Sequence, residues 1–238
     1  MKIGITLPQF EDEADSAIEA ARRAESLGID GVFCFDHLWP MGQPGRPALS
    51  SAPLLGALAA STSTIAIGTL VARIGLVPDA VLLAVLSTLE RLSDGRFIAG
   101  IGTGDGKSRQ ENEAYGIPFD DAGLRREHLA AVVAAAAQQG IPVWVGGGQP
   151  KTVALARAAG AAVNLWEGDA VRVAALAATG MEVTWGGPVE GAIPGATARL
   201  VELAGAGATW AVCAWPASLE TIAEAADELR RLTPSPGP

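Results

Sequence analysis

The chain is poor in several things, and each shortage closes a class of readings. It has two cysteines, Cys34 and Cys213, too few for a disulfide framework and in no CxxC spacing. Both lie in strand-like apolar runs, where a thiol packs as a small hydrophobe. Its two histidines, His37 and His128, stand far apart in sequence, so no zinc pattern assembles and no metal is expected. Cations are in deficit: 17 Lys and Arg against 26 Asp and Glu leave a net charge of -9. That gives no global basic field for nucleic acid, so an anionic ligand would need local side chains or backbone N–H groups. No apolar run reaches the roughly 18–20 residues of a membrane helix. The opening segment Met1–Pro8 reads as a strand, without signal-peptide organisation, and a cytoplasmic location is expected.

Several motifs are missing too. Neither GxSxG nor HExxH occurs, which weakens hydrolase readings. The stretch Gly106-Lys107-Ser108 invites a phosphate-loop reading, but GxxxxGK[ST] would need glycine at Ile101. GxGxxG is absent as well: Gly100, Gly102, Gly104 and Gly106 alternate instead.

What is abundant is apolar residues (49%) and glycine (29 residues), arranged as short apolar runs alternating with amphipathic stretches. The predicted strands are Ile3–Leu7, Gly31–Phe35, Ile65–Val71, Arg96–Ile101, Pro142–Val145, Ala161–Leu165, Met181–Trp185 and Thr209–Cys213. Predicted helices follow them at 13–27, 53–62, 79–92, 121–139, 150–159, 169–178, 195–204 and 217–232. Gly28 is a natural helix stop, and Asp79 a candidate N-cap. Strict alternation implies a parallel sheet with right-handed crossovers, and eight units allow closure. The expected fold is a single-domain (β/α)8 TIM barrel over residues 1–232; an open doubly wound sheet competes with it. The tail Thr233–Pro238 is expected to be disordered.

A barrel of this kind carries its site at the C-terminal strand ends. There the sequence places Asp36-His37 after strand 2, Arg73 after strand 3, Gly102-Thr103-Gly104-Asp105 after strand 4 and Gly146-Gly147-Gly148 after strand 5. The connections after strands 2 and 4 are the longest and are expected to shape the pocket. His37 either transfers protons near neutral pH or is a structural residue bonded to backbone. His128, amid charges in Leu124–Leu129, reads as part of a solvated helix face. The glycine run either lets backbone approach a phosphate at a helix start or is simply a tight turn. Lys151 in that helix's first turn opposes the dipole, which mildly favours an anionic ligand. Trp39, Trp144, Trp166, Trp185 and Trp215 fall at or near strand ends, where they could wall a pocket for a planar ligand or pack without one.

Longer segments add a family resemblance. Residues 2–9 (KIGITLPQ), 21–33 (ARRAESLGIDGVF) with Asp36-His37, 59–69 (AASTSTIAIGT), 89–104 (LERLSDGRFIAGIGTG), 112–119 (NEAYGIPF) and 143–147 (VWVGG) resemble, in order, blocks of the luciferase-like flavin and deazaflavin oxidoreductases. The resemblance spans residues 1–165 and implies a barrel that binds FMN or the deazaflavin F420 at its mouth, with the F420 branch favoured. It implies Asp36 as a cofactor holder, and His37 and Asp105 as proton-transfer residues. Gly68, Thr69 and Arg73 lie in the segment backing the ring, in some members through a non-prolyl cis peptide. It further implies that Gly102, Thr103 and Gly104 contact the cofactor and that Gly146, Gly147 and Gly148 bind its phosphate. The chain is short for the family, so its pocket is expected to be open or completed by a partner subunit. A homodimer is expected, through the helix at 79–92 whose Val81, Leu82, Leu83, Val85, Leu86 and Leu89 spread over more than one face. The leading expectation is hydride transfer between F420 and a small organic substrate. The alternatives are an FMN-dependent monooxygenase fed by a separate flavin reductase, a non-catalytic flavin-binding barrel, and an unrelated phosphate-handling barrel.

Overall fold

A computed structural model describes residues 1–233; apart from Thr233, the tail expected to be disordered lies outside the described residues. The chain forms β1 (Lys2–Thr6), α1 (Asp15–Ser26), β2 (Gly31–Cys34), α2 (Ser51–Ser61), β3 (Ala66–Thr69), β4 (Ala72–Arg73) and α3 (Asp79–Leu92). It continues with β5 (Phe97–Gly102), α4 (Ser108–Ala114), α5 (Ala122–Gln138), β6 (Val143–Gly146), α6 (Pro150–Ala158), β7 (Ala162–Trp166), α7 (Ala170–Ala177), β8 (Val183–Gly187), α8 (Ile193–Gly205), β9 (Ala208–Cys213) and α9 (Leu219–Leu232). Every strand pairing is parallel, running β3-β2-β1-β9-β8-β7-β6-β5-β4, and β3 also pairs with β5. That last pairing closes the ring, so the fold is a (β/α)8 barrel and the open-sheet alternative falls.

Two features depart from the expected alternation. The third stave is broken: β3 ends at Thr69, β4 resumes at Ala72, and the Leu70–Val71 peptide between them is cis. The segment after β5, expected as a loop, carries the short helix α4. Its sequence SRQENEA is too polar and too brief to show an apolar stripe.

The helices form for ordinary reasons. In α1, Ala17, Ala20, Ala21 and Ala24 recur on one face and bury it against the barrel. Asp121 and Asp169 accept first-turn N–H bonds at the starts of α5 and α7, satisfying donors the helix leaves open. Asp79 does not cap α3; it is the helix's first residue, and its carboxylate turns to His128 instead. Leu82, Leu86 and Leu89 of α3 are buried, Leu83 and Val85 are half-buried, and Val81 is exposed. Most of that helix's apolar spread is therefore used within the barrel. Among the described residues, no helix is long and apolar enough to cross a membrane.

Most of the core lies between strands and helices, where Ile3, Ile5, Leu55, Leu58, Ile67 and Trp185 are almost wholly buried. A second cluster fills the barrel interior: Phe33, Leu70, Ile98, Trp144, Ala162, Trp210 and Val212. Phe33 stacks on Trp144 at 5.0 Å between centroids and meets Trp210 edge-on at 5.8 Å. A Cβ on Gly4 or Gly68 would come within 2.8 or 2.7 Å of the Phe33 ring, so bare backbone there makes room for this plug. The plug floors a cavity that opens at the C-terminal strand ends.

Candidate active site

The cavity at the mouth measures about 660 Å³, within the usual range for a cofactor-sized ligand. Asp36, His37, Arg73, Gly102, Thr103, Gly104, Asp105 and Gly146–Gly148 all line it. Gly68 and Thr69 do not. Gly68 packs on Phe33, and Thr69 is buried with its hydroxyl donating to the Gly100 carbonyl at 2.7 Å. Their places at the cavity are taken by Leu70 and Val71. Val71 fits because Gly102 and Gly146 lack side chains: a Cβ there would stand 2.6 and 3.0 Å from its methyls.

The polar heart of the site is a residue not singled out from sequence. Glu111, on α4, is 3% exposed and accepts hydrogen bonds from His37 Nδ1 at 3.1 Å and Trp39 N at 3.2 Å. It also accepts from Leu38 N and from Arg73 Nη1. Burial alone would push its carboxyl up. The hydrogen bonds from His37 and Arg73, with their charges, outweigh that and bring it to about 2. Glu111 is therefore an ionised acceptor near neutral pH, so the proton of a neutral His37 sits on Nδ1. The Nε2 lone pair is then left free. With His37 lining the cavity at 22% side-chain exposure, this is the geometry of an oriented base.

Asp36 braces the same corner. Its Oδ1 accepts from Ser51 Oγ at 2.7 Å, and its Oδ2 accepts from Arg73 N at 2.9 Å, tying the end of β2 to α2 and β4. Arg73 is itself 3% exposed. Its Nε and Nη2 are buried without hydrogen-bond partners, shut off from the cavity. Asp105 stands exposed on the rim, where its Oδ1 accepts from Lys107 N and Ser108 N at 2.9 and 3.3 Å.

The end of β6 offers backbone donors at the cavity. Gly147 has φ of +109° and donates to the Asn164 carbonyl at 2.9 Å. A Cβ on Gly148 would collide with Arg172 and Leu165 at 2.7 Å. The N-cap of α6, Gln149, gives no side-chain bond, leaving the first-turn N–H groups of Lys151 and Thr152 for a ligand. Arg172 lines this end and donates to the Gly148 carbonyl. Lys151, by contrast, is exposed and does not line the cavity. Of the tryptophans, Trp166 alone of the five near strand ends lines it. Trp39 is buried beside Tyr115, Trp144 belongs to the interior plug, Trp185 lies under the helices, and Trp215 is outside the lining.

A glycine-lined cavity at the mouth of a parallel (β/α)8 barrel, with a carboxylate-oriented histidine on one wall, is a pocket of small-molecule size at the strand ends where barrels of this kind carry their sites. The luciferase-like monooxygenase family matches residues 1–136, more than half of the chain, and the chain belongs to that family. It is 38% identical over 117 residues to an F420-dependent glucose-6-phosphate dehydrogenase of Beutenbergia cavernae, covering 47% of this chain and 34% of that protein. A protein of the same description from Microbacterium testaceum is 34% identical over 115 residues, covering 46% and 32%. The matched stretch thus spans about a third of the relatives' length. Among solved structures, an F420-dependent secondary alcohol dehydrogenase in complex with an F420-acetone adduct superposes with a TM-score of 0.79 at 13% identity, covering 96% of this chain and 97% of that one. A monooxygenase from Streptomyces bottropensis gives 0.77 at 16% identity, covering 98% and 100%. At these identities the two structures speak to the fold.

Proposed function

We propose that this chain is an F420-dependent oxidoreductase that transfers a hydride between the deazaflavin and a small organic substrate. The observation that carries the reading is His37, held by ionised Glu111 and presented to a glycine-lined cavity. The residues present suit such a cofactor. Leu70, Val71, Gly102 and Gly146 offer a flat, side-chain-poor wall for a tricyclic ring. Gly146–Gly148, the start of α6 and Arg172 offer donors for its phosphate. When bound, F420 supplies a carbon centre that accepts or gives a hydride; the protein supplies orientation and proton handling. Asp36 holds the β2 corner in register with Arg73. His37 exchanges the accompanying proton through Nε2, and Glu111 stabilises the imidazolium that results. Asp105, on the rim with one oxygen engaged by α4, is a second group that can carry a proton to solvent. A homodimer through α3, whose Val81 is exposed, belongs to the same reading, and sedimentation velocity tests it.

The deciding experiment is side-by-side equilibrium titration with F420 and FMN, followed by turnover of His37→Ala. Tight F420 binding is expected, with weak FMN binding. The variant should keep its F420 affinity and lose turnover by about 100-fold or more. Preference for FMN would move the reading to a monooxygenase, and full turnover in His37→Ala would remove that residue from the chemistry.

A further inference from the structure

Part of the cavity lining is aromatic. Phe10 stacks on Phe35 at 6.0 Å and 11°, and Trp166 meets Phe35 edge-on at 5.5 Å. Trp166 lies over Gly186, where a Cβ would stand 3.0 Å from its ring. With Leu70 and Met41 these residues form one apolar shelf beside His37, and Trp166 is 43% exposed on it. The arginines that line the cavity already have partners, and Arg46 lies outside the lining. Arg73 is locked to Glu111 with its remaining nitrogens sealed off. Arg172 donates to the Gly148 carbonyl and, on the cofactor reading, serves the cofactor's phosphate. Arg46 is exposed and donates to the Phe10 carbonyl at 3.5 Å and to Gln43 at 2.7 Å. Immediately after Phe10 the rim turns acidic, with Glu11, Asp12 and Glu13 all exposed.

We infer that the substrate seated here is an uncharged, ring-bearing carbonyl or alcohol, and that a sugar phosphate is not accepted. Stacking and apolar contact on Phe10, Phe35 and Trp166 would supply its binding energy. A phosphorylated substrate would bring about two negative charges to a lining whose arginines, Arg73 and Arg172, are already engaged by Glu111 and the Gly148 carbonyl, and would lose its hydration without a partner. The inference rests on the cofactor reading for which end of the cavity the substrate occupies.

Saturation-transfer NMR on the F420-loaded protein tests it, with 2-acetylnaphthalene and glucose 6-phosphate as probes. With oxidised cofactor the ketone has no hydride to give and can only bind. Transfer to the naphthyl protons is expected, with none to the sugar. Trp166→Ala should weaken ketone binding about tenfold, and Trp166→Phe should keep most of it. Unchanged melting temperatures in both variants separate lost contact from lost fold. Transfer to glucose 6-phosphate, absence of transfer to the ketone, or ketone binding indifferent to Trp166 and to Phe10→Ala would each overturn the proposal. An F420 fluorescence titration runs in parallel. Ketone binding that depends on Trp166 in a protein that does not bind F420 upholds the shelf and sinks the cofactor reading. F420 binding with only the sugar seated does the reverse.

Discussion

The molecule uses the same chemical pair twice, in opposite settings. His37 Nδ1 meets Glu111 at 3.1 Å at the cavity, and His128 Nδ1 meets Asp79 at 2.6 Å in the outer helical layer. Glu111 is 3% exposed and shares its oxygens with Arg73 and two backbone N–H groups. The side chains of His128 and Asp79 are 40% and 30% exposed. His128 is thus not simply solvated on a helix face; it pins α5 to the start of α3. The hydrogen bond and charge of Asp79 raise its pKa. The lesson is that the pair itself decides little. A buried carboxylate with several donors has no alternative partner in water, so it stays ionised and can fix the tautomer of its histidine. An exposed pair competes with water and screening and contributes little to stability.

The comparison can be broken at graded cost. The largest effect is expected in catalysis, where His37→Ala should cost at least about 100-fold in turnover while His128→Ala leaves it unchanged, by steady-state assay on the same substrate. Next comes Glu111→Gln. It leaves the Arg73 guanidinium buried without a counter-charge, a change that should destabilise the fold by about 3 kcal/mol and lower the melting temperature by about 8 °C. Turnover should fall as well, because a neutral amide no longer fixes the His37 tautomer; Glu111→Asp should recover part of both. A melting curve that matches wild type would contradict the buried-pair account.

Acid titration sharpens the contrast further. Glu111 is lowered from 4.5 to about 2, so its contribution is present above about pH 4.5 and is lost as pH falls toward 2. Glu25 behaves alike: its burial raises the pKa, but bonds from the backbone N–H groups of Thr64, Ile65 and Ser63 outweigh that and bring it to about 2. Wild-type stability should therefore drop across that window by urea unfolding, and each of Glu111→Gln and Glu25→Gln should flatten part of the drop. The smallest effect belongs to His128→Ala. Because the folded pKa of His128 is raised, its contribution is complete below the unfolded value and fades as pH rises through the folded one. The variant should melt slightly below wild type at pH 6 and converge with it at pH 9.

The barrel was legible because parallel strands buried on both faces leave continuous apolar runs such as 97–102 (FIAGIG), and amphipathic helices such as α1 alternate with them. The mouth was legible in part. Asp36, His37, Arg73, Asp105 and the two glycine runs sit at strand ends, and the topology brings them to one cavity. Gly68 and Thr69 do not line the cavity, because Gly68 packs on Phe33 and the Thr69 hydroxyl turns to the Gly100 carbonyl; Leu70 and Val71 line it instead. Glu111 was missed because nothing local marks it: it lies in a polar stretch, and its burial depends on Arg73 and His37 arriving from 38 and 74 residues away. Its position just before the family-like block at Asn112 was the available signal. Of the five tryptophans near strand ends only Trp166 lines the cavity, because a strand end does not tell which way a ring turns.

The nesting of Val71 against Gly102 and Gly146 also bears on how this scaffold can be altered. A side chain added at either glycine meets Val71 at once, so randomising those positions in a library would return mostly inactive clones. Phe10, Met41 and Trp166 carry no comparable crowding from the glycine wall, and a three-position library there explores the rim without disturbing the seat behind it. Selectivity in this barrel is thus easier to alter along that edge than at the glycine seat.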